Sequence, residues 1–353
     1  MREIEAVVGC IEPPDQGVAE RVQHRLDNLT KPRGSLGKLE DLAKRYAAIR
    51  GHELPRLEHK LIFTLAADHG VAEEGVSAFP KEVTAQMVYN FLRGGGGINV
   101  LARHVGARVL VVDIGVDHDF SPQGGLILRK VARGTRNISR GPAMQLQEMV
   151  DAVKVGLELV EDSAAQNVDI LGTGDMGIGN TTASSAVLAA LTGMAIGEAT
   201  GRGTGVDDEA LSRKEAVVRR AIEVNAPDPE DPWGVLCKLG GLEIAGIVGI
   251  LLGAAARRIP VVVDGFISGA AALVACRVQP LVSEYLFASH RSKERAHGAL
   301  LAHMGAEPLL DLDLRLGEGT GAALGIGLVE AGVRVLKEMA TFDEAGVSES
   351  TVE

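Results

Sequence analysis

Aromatic rings are scarce in this chain of 353 residues, at 3% of the sequence against 46% apolar residues of all kinds. The core must therefore be built from Ala, Val, Ile and Leu, with 44 glycines allowing close backbone approach. That composition belongs to a packed α/β enzyme and not to a disordered chain. Cysteine is also rare. Cys10, Cys237 and Cys276 lie far apart with no CxxC pair, which argues against disulfides and zinc sites and fits a reducing cytoplasm. Positive charge is in deficit, with 36 Lys and Arg against 47 Asp and Glu, a net charge of −11. Such a surface repels nucleic-acid backbones and anionic membranes, so neither is expected as a partner. An anionic substrate would need a local pocket of backbone N–H groups and selected Lys or Arg. Long apolar runs are missing too. Ile244–Ala256 falls short of the about 20 residues that span a bilayer and reads as a buried helix. The N-terminal MREIEAVVGCIEPPD carries charges within its apolar run and has no signal-peptide core.

What is present is an alternation. Val18, Val22, Leu26 and Leu29, then Leu39, Leu42, Tyr46 and Ile49, give helical periodicity across 15–50, broken by turn chemistry at Thr30–Gly37. From about residue 60 short, partly β-branched runs recur at Lys60–Ala67, Val109–Ile114, Val168–Leu171 and Val261–Val263. Each ends near Gly or Asp and is followed by a helical stretch, as in a parallel sheet with ligand sites at the carboxyl ends of its strands. Leu310, Leu312, Leu314 and Leu316 alternate with Asp311, Asp313 and Arg315, a strand-like pattern leading through Gly317-Glu318-Gly319 into a helix. The acidic tail after Met339 reads as frayed.

The segment VDILGTGDMGIGNTTASSAV (168–187) carries the most chemistry. A strand runs into Gly172, Gly174, Gly177 and Gly179, and a helix begins near Asn180-Thr181-Thr182. Inward-turned N–H groups and a helix N-terminus suit a phosphate. The same spacing matches the dinucleotide fingerprint GxGxxG, but no ribose-binding acid follows about 20 residues on. A tight turn without a ligand is the third alternative. Glycine turns at Arg93–Gly97, Gly201–Gly205 and Gly317–Gly321 point to a large cleft, and none contains the GxxxxGK[ST] of nucleoside triphosphatases. Asp68-His69 and Asp117-His118-Asp119 could orient substrate, support structure or bind a metal, although no recognised metal spacing appears. Ser289-His290-Arg291-Ser292 has no GxSxG elbow, which argues against a serine hydrolase. Val261–Gly265 partly matches the phosphoribosyl-diphosphate motif but lacks its second acid and Thr-rich turn. Glu318, between two glycines, is either a desolvated general base or an exposed residue favoured by a helix dipole.

Taken in order, these segments resemble the nicotinate-nucleotide–dimethylbenzimidazole phosphoribosyltransferase family of cobalamin biosynthesis. The resemblance rests on KPRGSLGKLEDLA (31–43), AADHGVAEEGVSAFPKEVT (66–84), VARGTRNISRGPAM (131–144) and GTGDMGIGNTTASSAV (172–187). It continues through LGGLEIAGIVG (239–249), DGFISGAAAL (264–273), SHRSKERA (289–296) and RLGEGTGAAL (315–324). It implies a Rossmann-like α/β fold over 60–329, with a small helical domain built from 1–59 and about 330–353, in a cytoplasmic homodimer. It implies transfer of the phosphoribosyl group of nicotinate mononucleotide to 5,6-dimethylbenzimidazole or a related base, giving α-ribazole 5′-phosphate and nicotinate, without cofactor or metal. Glu318 matches the family's general base. Gly177, Ile178, Gly179, Asn180 and Thr181 are implied as the phosphate loop, with Gly203, Lys214 and Ser289 also near the nucleotide. Asp175 stands where the family often has a glutamate near the ribose and is the secondary catalytic candidate, next in line as the base after Glu318. Phe79, Pro80 and Leu316 are implied in the base pocket, where the family tends to have a small polar residue near Phe79. An NAD-dependent oxidoreductase and a non-catalytic nucleotide-binding protein are the rival readings.

Overall fold

The computed structural model describes residues 1–203 and 205–348. Thr204 of the Gly201–Gly205 turn, and the end of the acidic tail at 349–353, lie outside them. Among the described residues six strands form one sheet in the order β3-β2-β1-β4-β5-β6. They are β1 (Lys60–Ala67), β2 (Arg108–Gly115), β3 (Leu126–Leu128), β4 (Ile170–Met176), β5 (Val261–Val263) and β6 (Leu286–Ala288). All neighbouring pairs are parallel. The chain winds outward from β1 through β2 to β3, then returns to β4 on the other side of β1 and winds out to β6. That reversal is the doubly wound arrangement, and it opens a crevice beyond the carboxyl ends of β1 and β4.

Helices cover both faces because β1 is apolar on both, with Leu61–Ala67 buried throughout. Thr64 faces the turn before the Thr320–Glu338 helix, while Leu65 packs on Gly246 of the Leu242–Ala256 helix. That second helix, the long apolar run of the sequence, is buried along almost its whole length and lies against Leu146–Ala165. The two helices touch backbone to backbone: a Cβ at Gly249 would stand 2.0 Å from the Val153 carbonyl oxygen.

The apolar stripe Val18, Val22 and Leu26 forms a separate cluster with Leu29, Ala43, Ala47 and Leu336. Backbone bonds from Thr30 to Ala340 and from Phe342 to Asn28 tie the first helices to the last. The tail after Met339 is therefore not frayed where it is described: Phe342–Ala345 is a helical turn with a Thr341–Glu344 capping box.

Three sequence expectations require correction. The strand expected at Val168–Leu171 starts at Ile170 and runs on through Gly172, Gly174 and Asp175 to Met176. Those glycines lie inside the strand, where they make room for what packs on it. The alternating Leu310–Leu316 segment is not a strand: it forms one bridge, Leu310 to His290, and Asp313 takes φ +57, which breaks an extended run. Glu318 therefore follows a loop and not an apolar strand. Ser289 follows β6 directly, a strand too short at three residues to stand out in the sequence.

Gly249→Ala forces the two long helices apart and is expected to destabilise the protein by roughly 1–3 kcal/mol through overpacking. Calorimetric melting should show a transition lowered by several degrees; an unchanged transition would mean the helix pair has slack.

Candidate active site

The crevice is built around a turn that sits directly on β4. Gly174 has no side chain, and the Glu318 backbone fills that space: a Cβ at Gly174 would stand 2.2 Å from the Glu318 carbonyl oxygen and 2.7 Å from the Gly319 nitrogen. The Thr64 hydroxyl of β1 donates to the Glu318 carbonyl at 2.9 Å. Glu318 itself takes φ +64, a left-handed conformation that is strained for any residue with a Cβ.

From this turn the Glu318 carboxylate, 5% exposed, accepts the Ile98 N–H at 3.1 Å. Burial pushes its pKa up, against the restraining backbone donors of Ile98 and Gly97. It is thus a carboxylate whose proton affinity has been moved toward neutrality, the requirement for a base that must both take and release a proton. Gly97 lies against both Glu318 and Leu316, whose side chain is 60% exposed on the rim. Phe79, 52% exposed, and Pro80 stand on the surface just before the Val83–Leu92 helix.

Asp175, near the end of β4, lies under Gly317 and accepts from the Asn180 amide at 2.9 Å. Burial raises its pKa well above the ordinary carboxylate range, helped by the neighbouring charges of Asp264, Glu243 and Glu318. Asn180 opens the Asn180–Thr192 helix, so Asp175 connects the Glu318 turn to the glycine loop. In that loop the Ile178 N–H is bonded to Thr84 Oγ1 at 3.2 Å, and the Asn180 and Thr182 N–H groups close local turns. Among the described residues the N–H groups of Gly179 and Thr181 have no protein acceptor, and both lie where the helix macrodipole favours an anion.

Lys214 reaches the same helix start from the Asp208–Asn225 helix. Its ammonium donates to Thr181 Oγ1 at 2.8 Å and to the Gly201 carbonyl at 3.1 Å, beside Gly203. The side chain is fully buried, and desolvation brings its pKa down to about 8. Arg315 closes the cationic end from above, its guanidinium 3.5 Å from the Gly203 carbonyl. The sequence reading missed Arg315, although it stands three residues before Glu318 in the RLGEGTG segment.

Ser289 is fully buried, and its hydroxyl donates to the Asp264 carbonyl at 3.0 Å. His69 pairs with Glu243 at 2.6 Å, both buried, with the imidazole against Gly177 and the Cβ against Gly179. Asp68 accepts the Asp117 N–H at 2.8 Å, and His118 bonds the Tyr89 hydroxyl. These neighbours brace the loops at the ends of β1 and β2. Among the described residues no group of three or more His, Cys, Asp or Glu is arranged to hold a metal ion. A separate cavity of about 530 Å³ lies by β6 and the Lys38–Arg50 helix, lined by Arg45, Leu286 and Met304.

The crevice therefore has a cationic end at Lys214, Arg315 and the start of the Asn180–Thr192 helix and an acidic end with the buried Glu318 and Asp175 carboxyls, about a sheet switch point. A phosphoribosyltransferase family model matches residues 11–347. The nicotinate-nucleotide–dimethylbenzimidazole phosphoribosyltransferase of Geobacter metallireducens is 62% identical over 337 residues, covering 96% of each chain. The chain belongs to that family. The enzyme of the same name from Geobacter sulfurreducens is 60% identical over 96% of each chain. The crystal structure of the Thermus thermophilus nicotinate-nucleotide–dimethylbenzimidazole phosphoribosyltransferase superposes with a TM-score of 0.90 at 44% identity, over 95% of this chain and all of that one. The α/β fold that the sequence resemblance implied is thus present. No helix among the described residues is long and apolar enough to cross a membrane.

Lys214→Met removes a buried charge and should leave the melting temperature at about pH 7 unchanged or raised. The folded-state pKa lies below the unfolded one, so the wild-type penalty is relieved as pH rises through about 8. The advantage of the variant should therefore shrink by about pH 9.5. A fall of several degrees at neutral pH would mean that the lysine's hydrogen bonds outweigh its desolvation.

Proposed function

We infer that this chain transfers the phosphoribosyl group of nicotinate mononucleotide to 5,6-dimethylbenzimidazole or a closely related base, releasing nicotinate and forming α-ribazole 5′-phosphate. The observation that carries this reading is the polarity of the crevice. The donor has a dianionic phosphate at one end and a pyridinium ring at the other. Lys214, Arg315 and the start of the Asn180–Thr192 helix form a cationic end, while Asp175 and Glu318 form an acidic one. Carboxylates at that end favour the positive charge shared between the ring and C1′ as the glycosidic bond loosens.

The steps follow from the substrates. One nitrogen of the acceptor attacks C1′ from the face opposite the nicotinate, so the β linkage becomes α. The electrons of the breaking bond neutralise the pyridinium nitrogen, and that leaving group needs no proton. The acceptor gains positive charge as it attacks, and Glu318 takes the proton from its other nitrogen. Holding both rings in line across C1′ supplies a large part of the rate. Gly177, Ile178, Gly179, Asn180 and Thr181, with Gly203, seat the phosphate. Leu316, Phe79 and Pro80 form the apolar rim for the acceptor. Ser289 supports that arrangement through Asp264, and Asp175 is placed to meet the ribose. A cytoplasmic homodimer belongs to the same reading, on the family resemblance.

Purified chain given nicotinate mononucleotide and dimethylbenzimidazole should release nicotinate and α-ribazole phosphate in equal amounts by chromatography. Glu318→Gln should lower kcat by about 100-fold or more. Undiminished turnover in that variant moves the base elsewhere, and no product with any azole acceptor overturns the transferase reading.

The pH dependence has a definite sign. Activity should rise as Glu318 loses its proton, at a pH above the usual carboxylate range, and donor binding should weaken as Lys214 loses its proton above about 8. A kcat/KM profile flat on both sides would contradict those assignments.

A further inference from the structure

Asp264 ends the partial phosphoribosyl-diphosphate motif Val261–Gly265, and no step of the reaction described above assigns it a role of its own. It leaves the end of β5 and is 1% exposed. One of its oxygens accepts the Gly319 N–H at 2.9 Å, and the other accepts the Gly321 and Ala322 N–H groups at 2.7 and 3.2 Å. These donors are the opening amides of the Thr320–Glu338 helix, whose own N-cap residue, Gly319, has no side chain to cap it.

The carboxylate is locked in turn. Its backbone N–H lies 3.3 Å from the Thr173 hydroxyl of β4, and its carbonyl accepts from Ser289. Asp264 is therefore a rigid cap supplied from a neighbouring strand, and the first N–H it holds belongs to the residue immediately after Glu318. With Thr64 holding the Glu318 carbonyl from β1, the peptide group that follows the strained Glu318 is held at both its oxygen and its N–H.

We propose that Asp264 is a positioning residue for the Glu318 base, fixing through Gly319, Gly321 and Ala322 the height at which the Glu318 carboxylate enters the crevice. This rests on the reading of Glu318 as the base. Asp264 touches no reacting atom; it acts through the turn. An amide at this position keeps one acceptor oxygen but turns an NH₂ group toward N–H donors, so at least one helix amide loses its partner and the turn relaxes. Displacement of a catalytic group by about 1 Å can cost on the order of 100-fold in rate.

The test is a double-mutant cycle in the full-length chain, comparing wild type, Asp264→Asn, Glu318→Gln and the double variant by the same chromatographic assay. Asp169→Asn serves as control. It is also a buried aspartate accepting backbone N–H groups, from Glu58 and His59, but it lies at the opposite end of the sheet. Asp264→Asn should lower kcat by about 30- to 100-fold, with KM for nicotinate mononucleotide changed less than about 3-fold, because the phosphate loop stands on another element. In the Glu318→Gln background the same change should have little further effect. Asp169→Asn should lower the melting temperature without this loss in kcat.

The proposal is overturned if folded Asp264→Asn keeps its kcat, or if it loses as much with Glu318 absent as with it present. Where the amide variant fails to fold by circular dichroism, Asp264→Ser and Thr64→Val enter the same cycle. Thr64→Val frees the other side of the turn while preserving side-chain volume. Wild-type turnover that is unaffected by Glu318→Gln would instead defeat the underlying assignment of the base.

Discussion

The contact between β4 and the Gly317-Glu318-Gly319 turn constrains everything around it. A left-handed glutamate costs on the order of 1–3 kcal/mol in backbone strain, and burial of its carboxylate adds to that. Such a conformation persists only where the surroundings leave it no alternative. Here Gly174 removes the side chain that would push the turn away, Thr64 holds its carbonyl, and Asp264 holds the amides that follow. The strain sits where a carboxylate faces inward while its backbone is still making the bend into a helix. A relaxed turn at the same place would direct the carboxylate along the helix surface, where water would return its pKa to the ordinary range.

The sheet order explains why a phosphate end and an acidic end can meet at this spot. At the boundary between β1 and β4 the connections leave in opposite directions, so no crossover covers the carboxyl ends of those two strands. The glycine loop and the Asn180–Thr192 helix leave β4 on one side. The Glu318 turn arrives over β4 from a distant part of the sequence. Asp175, beside Gly317 and bonded to Asn180, lies between the two and links them.

Much of the scaffold could be read from the sequence, because β-branched runs at Lys60–Ala67 and Val261–Val263 declare their strands directly. The glycines misled. Gly172 and Gly174 read as turn residues, since nothing local distinguishes a glycine that bends the chain from one that admits another segment onto a strand. Their true place also removes the dinucleotide alternative, in which the first glycines must form the turn itself. The Leu310–Leu316 alternation read as a strand because period-2 patterning cannot reveal that Asp313 is left-handed. Glu318 stood out, flanked by glycines, but the partners that orient it did not. Asp264 and Thr64 act across long stretches of sequence, and no pattern announces a cap supplied by another strand. The bond from Ser289 to the Asp264 carbonyl is equally silent in the sequence, since the two residues lie on separate strand ends.

The same groups that serve the chemistry work against the fold without substrate. Asp175, Asp264 and Glu318 have folded-state pKa values above their unfolded ones, that of Asp264 at about 7. Their contribution to stability is full in acid and is lost as pH rises through those values. Lys214, with its pKa at about 8, is disfavoured while charged, so near neutrality the crevice holds both kinds of unfavourable burial at once. An anion beside Lys214 would relieve the first kind, and a cation beside Asp175 and Glu318 would favour their ionised forms.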